Sequence, residues 1–310
     1  MRKVLVIGGA GFIGSAIVHR LLNDKNYTVY VVEPERASID RLSDVHEHII
    51  ILRTDIKNTV EIHECLKNNK IDTIIHLAST LIPSSTIYAY QNEINEVVLP
   101  TLNIIKIASQ MDIKFVYFSS GGTIYGNKDT GIFKETDSLN PISYYGLSKL
   151  LLEETILFEK RTSGLQYLIL RPSNPYGPGQ NINGRQGIIA VSIGKIINNE
   201  PITVWGDGTV IRDFIYIEDL AEIVYKLIEK GVEGQIINIG SGVGYSINEI
   251  ISYIESHLGQ SAEIKYEPGR NVDVPAMILD VKKLSMFCPF KLKNIDEGIK
   301  MFVNDIKKGH

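Results

Sequence analysis

Cysteine is scarce in this sequence. Only Cys65 and Cys288 occur, far apart and in no CxxC or Cys/His cluster, which excludes a disulfide framework and a zinc site and leaves both as small core residues. Long apolar runs are missing as well. None reaches the roughly 18 residues of a membrane span, and MRKVLVIGGAGFIG is too short and too glycine-rich for a signal peptide. A basic excess is also absent: the net charge of −4 gives no reason to expect nucleic acid as a partner. The histidines show no metal spacing, so no metal site is expected. What remains is an ordinary soluble composition, 44% apolar and 22% charged, in 310 residues that allow one large or two smaller domains. The expectation is a cytoplasmic enzyme whose partners include neither nucleic acid nor a membrane.

The first half alternates apolar β-branched runs with helical spacing. Lys3 to Ile7, Thr28 to Val32, His48 to Leu52, Thr73 to Leu77 and Lys114 to Phe118 read as strands apolar on both faces, as parallel strands covered by helices must be. Between them Ile13, Ile17, Val18, Leu21 and Leu22 keep helical spacing. The fold class predicted is α/β, a Rossmann-type doubly wound parallel sheet with a smaller mixed α/β C-terminal lobe for substrate. Residues 1–172 are expected to form the NAD-binding domain and 173–310 mainly the substrate lobe, with chain segments shared between them. Ser246 to Glu249 has the spacing of a capping box before Ile250, Ile251 and Ile254.

Gly8, Gly11 and Gly14 follow the first strand and open the first helix, in GGAGFIG. In a βαβ setting such glycines let the backbone turn sharply, approach a pyrophosphate and pack helix on sheet, while the helix N-terminus faces the phosphates. Glu33 ends the second strand, where a carboxylate accepts from the adenosine ribose hydroxyls and repels a 2′-phosphate. That favours NAD over NADP, with Arg36 three residues on as the counter-argument. Asp55, beside Ile56 and just past the third strand, is placed to meet the adenine.

Tyr145 and Lys149 are four residues apart and share a helix face. Beside a nicotinamide, a lysine cation favours phenolate and draws the tyrosine pKa from about 10 toward the working pH.

GGAGFIG, YFSSGGTIYG, the Tyr-xxx-Lys of YYGLSK, RPSNPYGPGQ and WGDGTVIRDFIYIEDLAE, in this order and across essentially the whole chain, resemble the extended short-chain dehydrogenase/reductase family. The likeness is greatest to its nucleotide-sugar epimerases and dehydratases. It implies a hydride cycle in which Tyr145 takes a proton from a sugar hydroxyl, NAD takes hydride from the same carbon, and Lys149 holds the nicotinamide ribose. Further cofactor contacts it implies are Phe12, Ile13, Ile56, Ser119 and the backbone of Leu77 and Ala78. For the nucleotide sugar it implies Asn174, the arginines Arg212 and Arg270 as a diphosphate clamp, and Asp273 as a ribose contact. It also implies a homodimer through a four-helix bundle, which the surplus apolar residues around Val97 to Ala108 and after Tyr145 would supply.

One position departs from the pattern. Anchoring on Ile124-Tyr125-Gly126 puts Gly121 where the family carries the hydroxyl that meets the reacting sugar, and glycine has no group to donate or accept. Thr123 or Ser120 must take that role, and Thr123 shares the face of Gly121 if the strand continues. Gly122 and Thr123 also stand where a dehydratase carries two acids, which argues against dehydration. The expected reaction is NAD-dependent nucleotide-sugar 4-epimerisation with a UDP-hexose preferred. The alternative is NAD(P)H-dependent 4-ketoreduction of a dTDP- or GDP-linked 4-keto-6-deoxy sugar.

Overall fold

Seven strands form the main sheet of the computed structural model, which describes residues 1–184, 186–269, 274–289 and 291–309. They are β1 (Arg2–Ile7), β2 (Tyr27–Glu33), β3 (Ile49–Arg53), β4 (Thr73–His76), β5 (Lys114–Phe118), β7 (Tyr167–Pro172) and β11 (Gln235–Ile239), in the order β11-β7-β5-β4-β1-β2-β3. The pairs from β3 to β7 are all parallel. Leu5, Ile7, Tyr30, Val32, Ile74, Phe115 and Tyr117 point to one face, where they pack on residues of α2 (Thr59–Asn69), α4 (Leu99–Gln110) and α5 (Tyr144–Ser163). The alternate residues Val4, Val6, Val29, Val31, Ile75 and Val116 are equally buried, so each strand is covered on both sides and shows no polar alternation. β1 and β2 flank α1 (Phe12–Leu22), while α3 (Ile87–Glu93) leads through a π-helical segment, Ile94–Val98, into α4.

The chain divides into two units. One comprises Met1–Ile124, Pro141–Arg171 and Ala221–Ile237; the other comprises Tyr125–Asn140, Pro172–Leu220 and Asn238–His310. The second unit holds a five-stranded sheet of β6 (Ile132–Phe133), β8 (Asn174–Tyr176), β10 (Ile211–Tyr216), β12 (Gly244–Ser246) and β14 (Ala276–Leu279). β9 (Ile202–Trp205) pairs separately with β13 (Ile264–Glu267). Its core gathers Ile189, Ile193, Phe214, Ile250, Ile254 and Phe302. The capping box forms as its spacing predicts: Ser246 accepts from the Glu249 N–H, and the Glu249 carboxylate accepts from the Ser246 N–H.

Candidate functional site

The glycine turn sits between β1 and α1. Gly8 has φ +83°, a conformation open to glycine, and a Cβ there would stand 3.2 Å from the Ala78 nitrogen. Leu77 and Ala78 therefore run close beside the turn. A Cβ on Gly14 would fall onto the Gly8 carbonyl, so helix and turn approach as only glycine permits. Gly11 caps α1 without a side-chain bond, and the first turn carries no acid. Its N–H groups and positive dipole end are thus left for an anionic group, which fits a dinucleotide pyrophosphate. Phe12 and Ile13, half-buried, begin that turn, and Ile56 is buried past β3.

Glu33 reaches back into this turn. Its Oε1 accepts from the Ala10 N–H at 2.7 Å, a link that spacing alone does not reveal. Burial pushes the Glu33 carboxyl up, opposed by the Ala10 bond and the Arg53 charge. The carboxylate so placed braces the glycine turn as well as presenting charge at the end of β2. Arg36 faces Asp55 at 3.4 Å, so the cation that argues for a 2′-phosphate has a carboxylate beside it.

The catalytic candidates converge at the C-terminal end of β5. Ser143 caps α5 by accepting from the Gly146 N–H at 3.1 Å. A side chain on Gly146 would strike the Thr123 carbonyl, so the first turn of α5 lies directly on the loop after β5. Lys149, 4% exposed, donates from Nζ to the Phe118 carbonyl at 3.0 Å and lies 5.5 Å from the Tyr145 ring centroid. Ser119 and Ser120 are both buried, and Gly121 follows them in the same loop.

The strand does not continue to Thr123. β5 ends at Phe118 and the chain turns, with the Ile124 N–H bonded to the Ser120 carbonyl, so Gly121 and Thr123 share no strand face. The turn carries the Thr123 hydroxyl back to donate to Ser120 Oγ at 2.9 Å. Ser120 lies beside the Tyr145 phenol and acts on its proton. Burial pushes Tyr145 up to about 12, Ser120 draws it down, and the Glu93 carboxylate pushes it up again. In the protein alone burial sets the direction, opposite to the lowering expected with Lys149 and a nicotinamide beside the phenol. Lys149 itself is pushed down to about 8 by burial, with Glu93 and Glu153 opposing.

Glu93 carries no motif and escapes sequence reasoning. His76 is buried, its Nε2 2.9 Å from Thr101 Oγ1, and burial with the Lys149 charge brings it down to about 3. It is a neutral packing residue, as its place at the end of β4 suggests.

Asn174 and Arg212 lie in the second unit. The Asn174 amide donates to the Asp213 carbonyl at 2.8 Å across the β8–β10 pair. Arg212 donates to the carbonyls of Ile211 and Val274 at 2.8 and 2.7 Å. Both side chains tie their own sheet together in addition to any ligand role. Arg270 and Asp273 lie outside the described residues. Among the described residues, no cluster of metal-ligating side chains occurs.

Residues 4–240 match the family model described as "NAD dependent epimerase/dehydratase family". A Methanocaldococcus jannaschii protein, provisionally named UDP-glucose 4-epimerase, is 34% identical, with 99% of each chain covered. The Escherichia coli dTDP-4-dehydro-6-deoxyglucose reductase is 32% identical over 98% of this chain and 97% of its own length. Among solved structures, the UDP-glucose 4-epimerase of Thermotoga maritima with UDP-glucose aligns with a TM-score of 0.91 at 28% identity, covering 99% of each chain.

Proposed function

The chain belongs to the NAD-dependent epimerase/dehydratase family, and from that premise we propose that it is a nucleotide-sugar 4-epimerase that prefers a UDP-hexose. The observation that carries this reading is the convergence of Ser120 and Lys149 on Tyr145, in the same unit as the glycine turn. NAD, when bound, would supply the hydride acceptor and donor for C4 of the sugar and a positive ring that favours phenolate. Gly8, Gly11, Gly14 and the uncapped start of α1 would hold its pyrophosphate, and Glu33 its ribose.

The chain itself manages the proton. Tyr145 Oη removes the C4 hydroxyl proton as the keto sugar forms and returns it when the alcohol is restored on the other face. Ser120 lies next to that oxygen, and Thr123 fixes the Ser120 hydroxyl, so Ser120 meets the reacting oxygen where Gly121 has nothing to offer. Lys149, anchored on the Phe118 carbonyl, orients the ribose and adds positive charge. Asn174, Arg212 and Arg270 would grip the nucleotide diphosphate and Asp273 the nucleotide ribose, with 173–310 the main source of substrate contacts. Gly122 and Thr123 supply no acid, which sets 4,6-dehydration aside.

Incubation with UDP-glucose or UDP-N-acetylglucosamine, without added coenzyme and followed by NMR, is expected to give the C4 epimer. Tyr145→Phe is expected to lower turnover by about three orders of magnitude. The missing hydroxyl at Gly121 favours one second reading, reduction of a 4-keto-6-deoxy sugar. Stoichiometric NADH oxidation with a dTDP-4-keto sugar, and no epimerisation, would select it.

Among the described residues, no helix is long and apolar enough to cross a membrane and neither cysteine forms a disulfide; the cytoplasm is the compartment we propose. Leu147, Leu151 and Phe158 are 40%, 40% and 52% exposed along one side of α5, and Leu99 on α4 is 49% exposed. We assign these outward apolar side chains to a homodimer built on a four-helix bundle.

A further inference from the structure

α3 ends on Glu93, and the π-helical segment that follows is a feature often found at functional sites. Glu93 is 1% exposed, yet three donors converge on its carboxylate. Ser79 Oγ reaches Oε1 at 2.9 Å, while the Thr80 N–H and Thr80 Oγ1 reach Oε2 at 2.8 and 2.5 Å. Ser79 and Thr80 continue directly from Leu77 and Ala78, the segment against Gly8.

The charges nearby do not balance without it. Lys149 is a buried ammonium that makes no ion pair among the described residues, its Nζ donating to a carbonyl. Two carboxylates act on it, Glu93 and Glu153. Glu153 is already matched by Arg171, which donates from Nε and Nη2 at 3.0 and 2.6 Å. Glu93 is held by neutral donors only, so its charge is the one left uncompensated.

We propose that Glu93 is a positioning residue of this site: its carboxylate pins Ser79 and Thr80, and with them the segment against Gly8, and is the fixed counter-charge of Lys149. The proposal rests on the reading of Tyr145 and Lys149 as the acid–base pair. The titratable groups around it are His76 on β4, Tyr117 on β5, and Tyr145, Lys149 and Glu153 on α5, with Arg171 on β7. His76 is held down at about 3 and Tyr117 well above its ordinary value, both by burial, so Tyr145 and Lys149 are the two to follow.

Glu93→Gln removes the charge and keeps the clamp, because the amide oxygen accepts from Thr80 and the Ser79 hydroxyl turns to accept from the NH₂. NMR titrations of labelled tyrosine and lysine, assigned with Tyr145→Phe and Lys149→Met, are made without substrate. Loss of the charge is expected to move both groups down, each by about one unit. A purely structural defect that admits water would relieve burial and move Tyr145 down but Lys149 up. That divergence, or no movement, overturns the counter-charge. Should Glu93→Gln not fold, its combination with Lys149→Met is expected to restore folding, and failure to do so overturns the pairing.

Thr80→Val keeps the charge and removes one clamp bond. It is expected to leave both titrations in place and to release bound NAD about tenfold faster; an unchanged release rate overturns the clamp. A wild-type protein idle on every sugar nucleotide would sink the epimerase reading and leave these titrations standing.

Discussion

Thr123 Oγ1 donates to Ser120 Oγ at 2.9 Å, and Ser120 lies beside the Tyr145 phenol, so two hydroxyls that compete in the sequence stand one behind the other. Ser120→Ala removes the hydroxyl next to the phenol and is expected to lower kcat by two to three orders of magnitude, on the scale of about 10²–10⁴ for a lost acid–base partner. Thr123→Val removes the bond behind it, worth about 1 kcal/mol, and should cost roughly fivefold. Steady-state kcat for the two variants checks the order; a greater loss at Thr123 would reverse it.

Lys149 and Tyr145 give the stability of the protein a pH signature. Lys149 is pushed down to about 8 from its ordinary 10.5, so between those values the unfolded chain binds more protons and stability rises with pH. Tyr145 is pushed up to about 12 from 10.0, so above pH 10 the folded chain binds more protons and stability falls. Lys149→Met is expected to reduce the rise, leaving the share of Lys114, which burial also brings down to about 8, and to keep the fall. Urea midpoints across alkaline pH provide the measurement, and an unaltered rise in the variant would refute the assignment.

The Arg171–Glu153 pair is 2% and 1% exposed and joined by two bonds. Arg171→Met leaves Glu153 buried without its cation and is expected to cost about 3–5 kcal/mol. Pairing it with Glu153→Leu should recover most of that loss, because the second change removes the stranded charge. Denaturant unfolding of the single and double variants reads the difference.

Leu151 and Phe158, about two turns apart, lie on one exposed side of α5. Replacing both with glutamate places charge on the assigned dimer face, and gel filtration should move from twice the chain mass to one. A wild-type protein that already elutes as a monomer would remove the dimer.

The strands of the main sheet were legible because both of their faces are buried, which leaves unbroken β-branched runs such as Val4 to Ile7. The glycine turn and the Tyr145–Lys149 spacing were legible because local backbone geometry enforces them. Thr123 was misplaced because nothing in YFSSGGTIYG tells a continued strand from a turn after Phe118. Glu93 was invisible for another reason. Its role depends on Ser79, Thr80, Tyr145 and Lys149, which only the folded chain assembles around it, and a lone glutamate on a short helix reads as a solvated side chain. Glu33 was found, but its bond to Ala10 links residues 23 positions apart and has no periodic mark.

β11 is an edge strand of the main sheet, yet it enters the chain only after the whole of Pro172–Leu220 has been laid down in the other unit. A ribosome that has released residues 1–172 has therefore produced a sheet whose β7 still shows an open edge. That edge stays available for pairing with a stranger until Gln235 to Ile239 emerges. The first half of this enzyme must wait for the second, and a gene split at the apparent domain boundary would express a fragment inclined to aggregate.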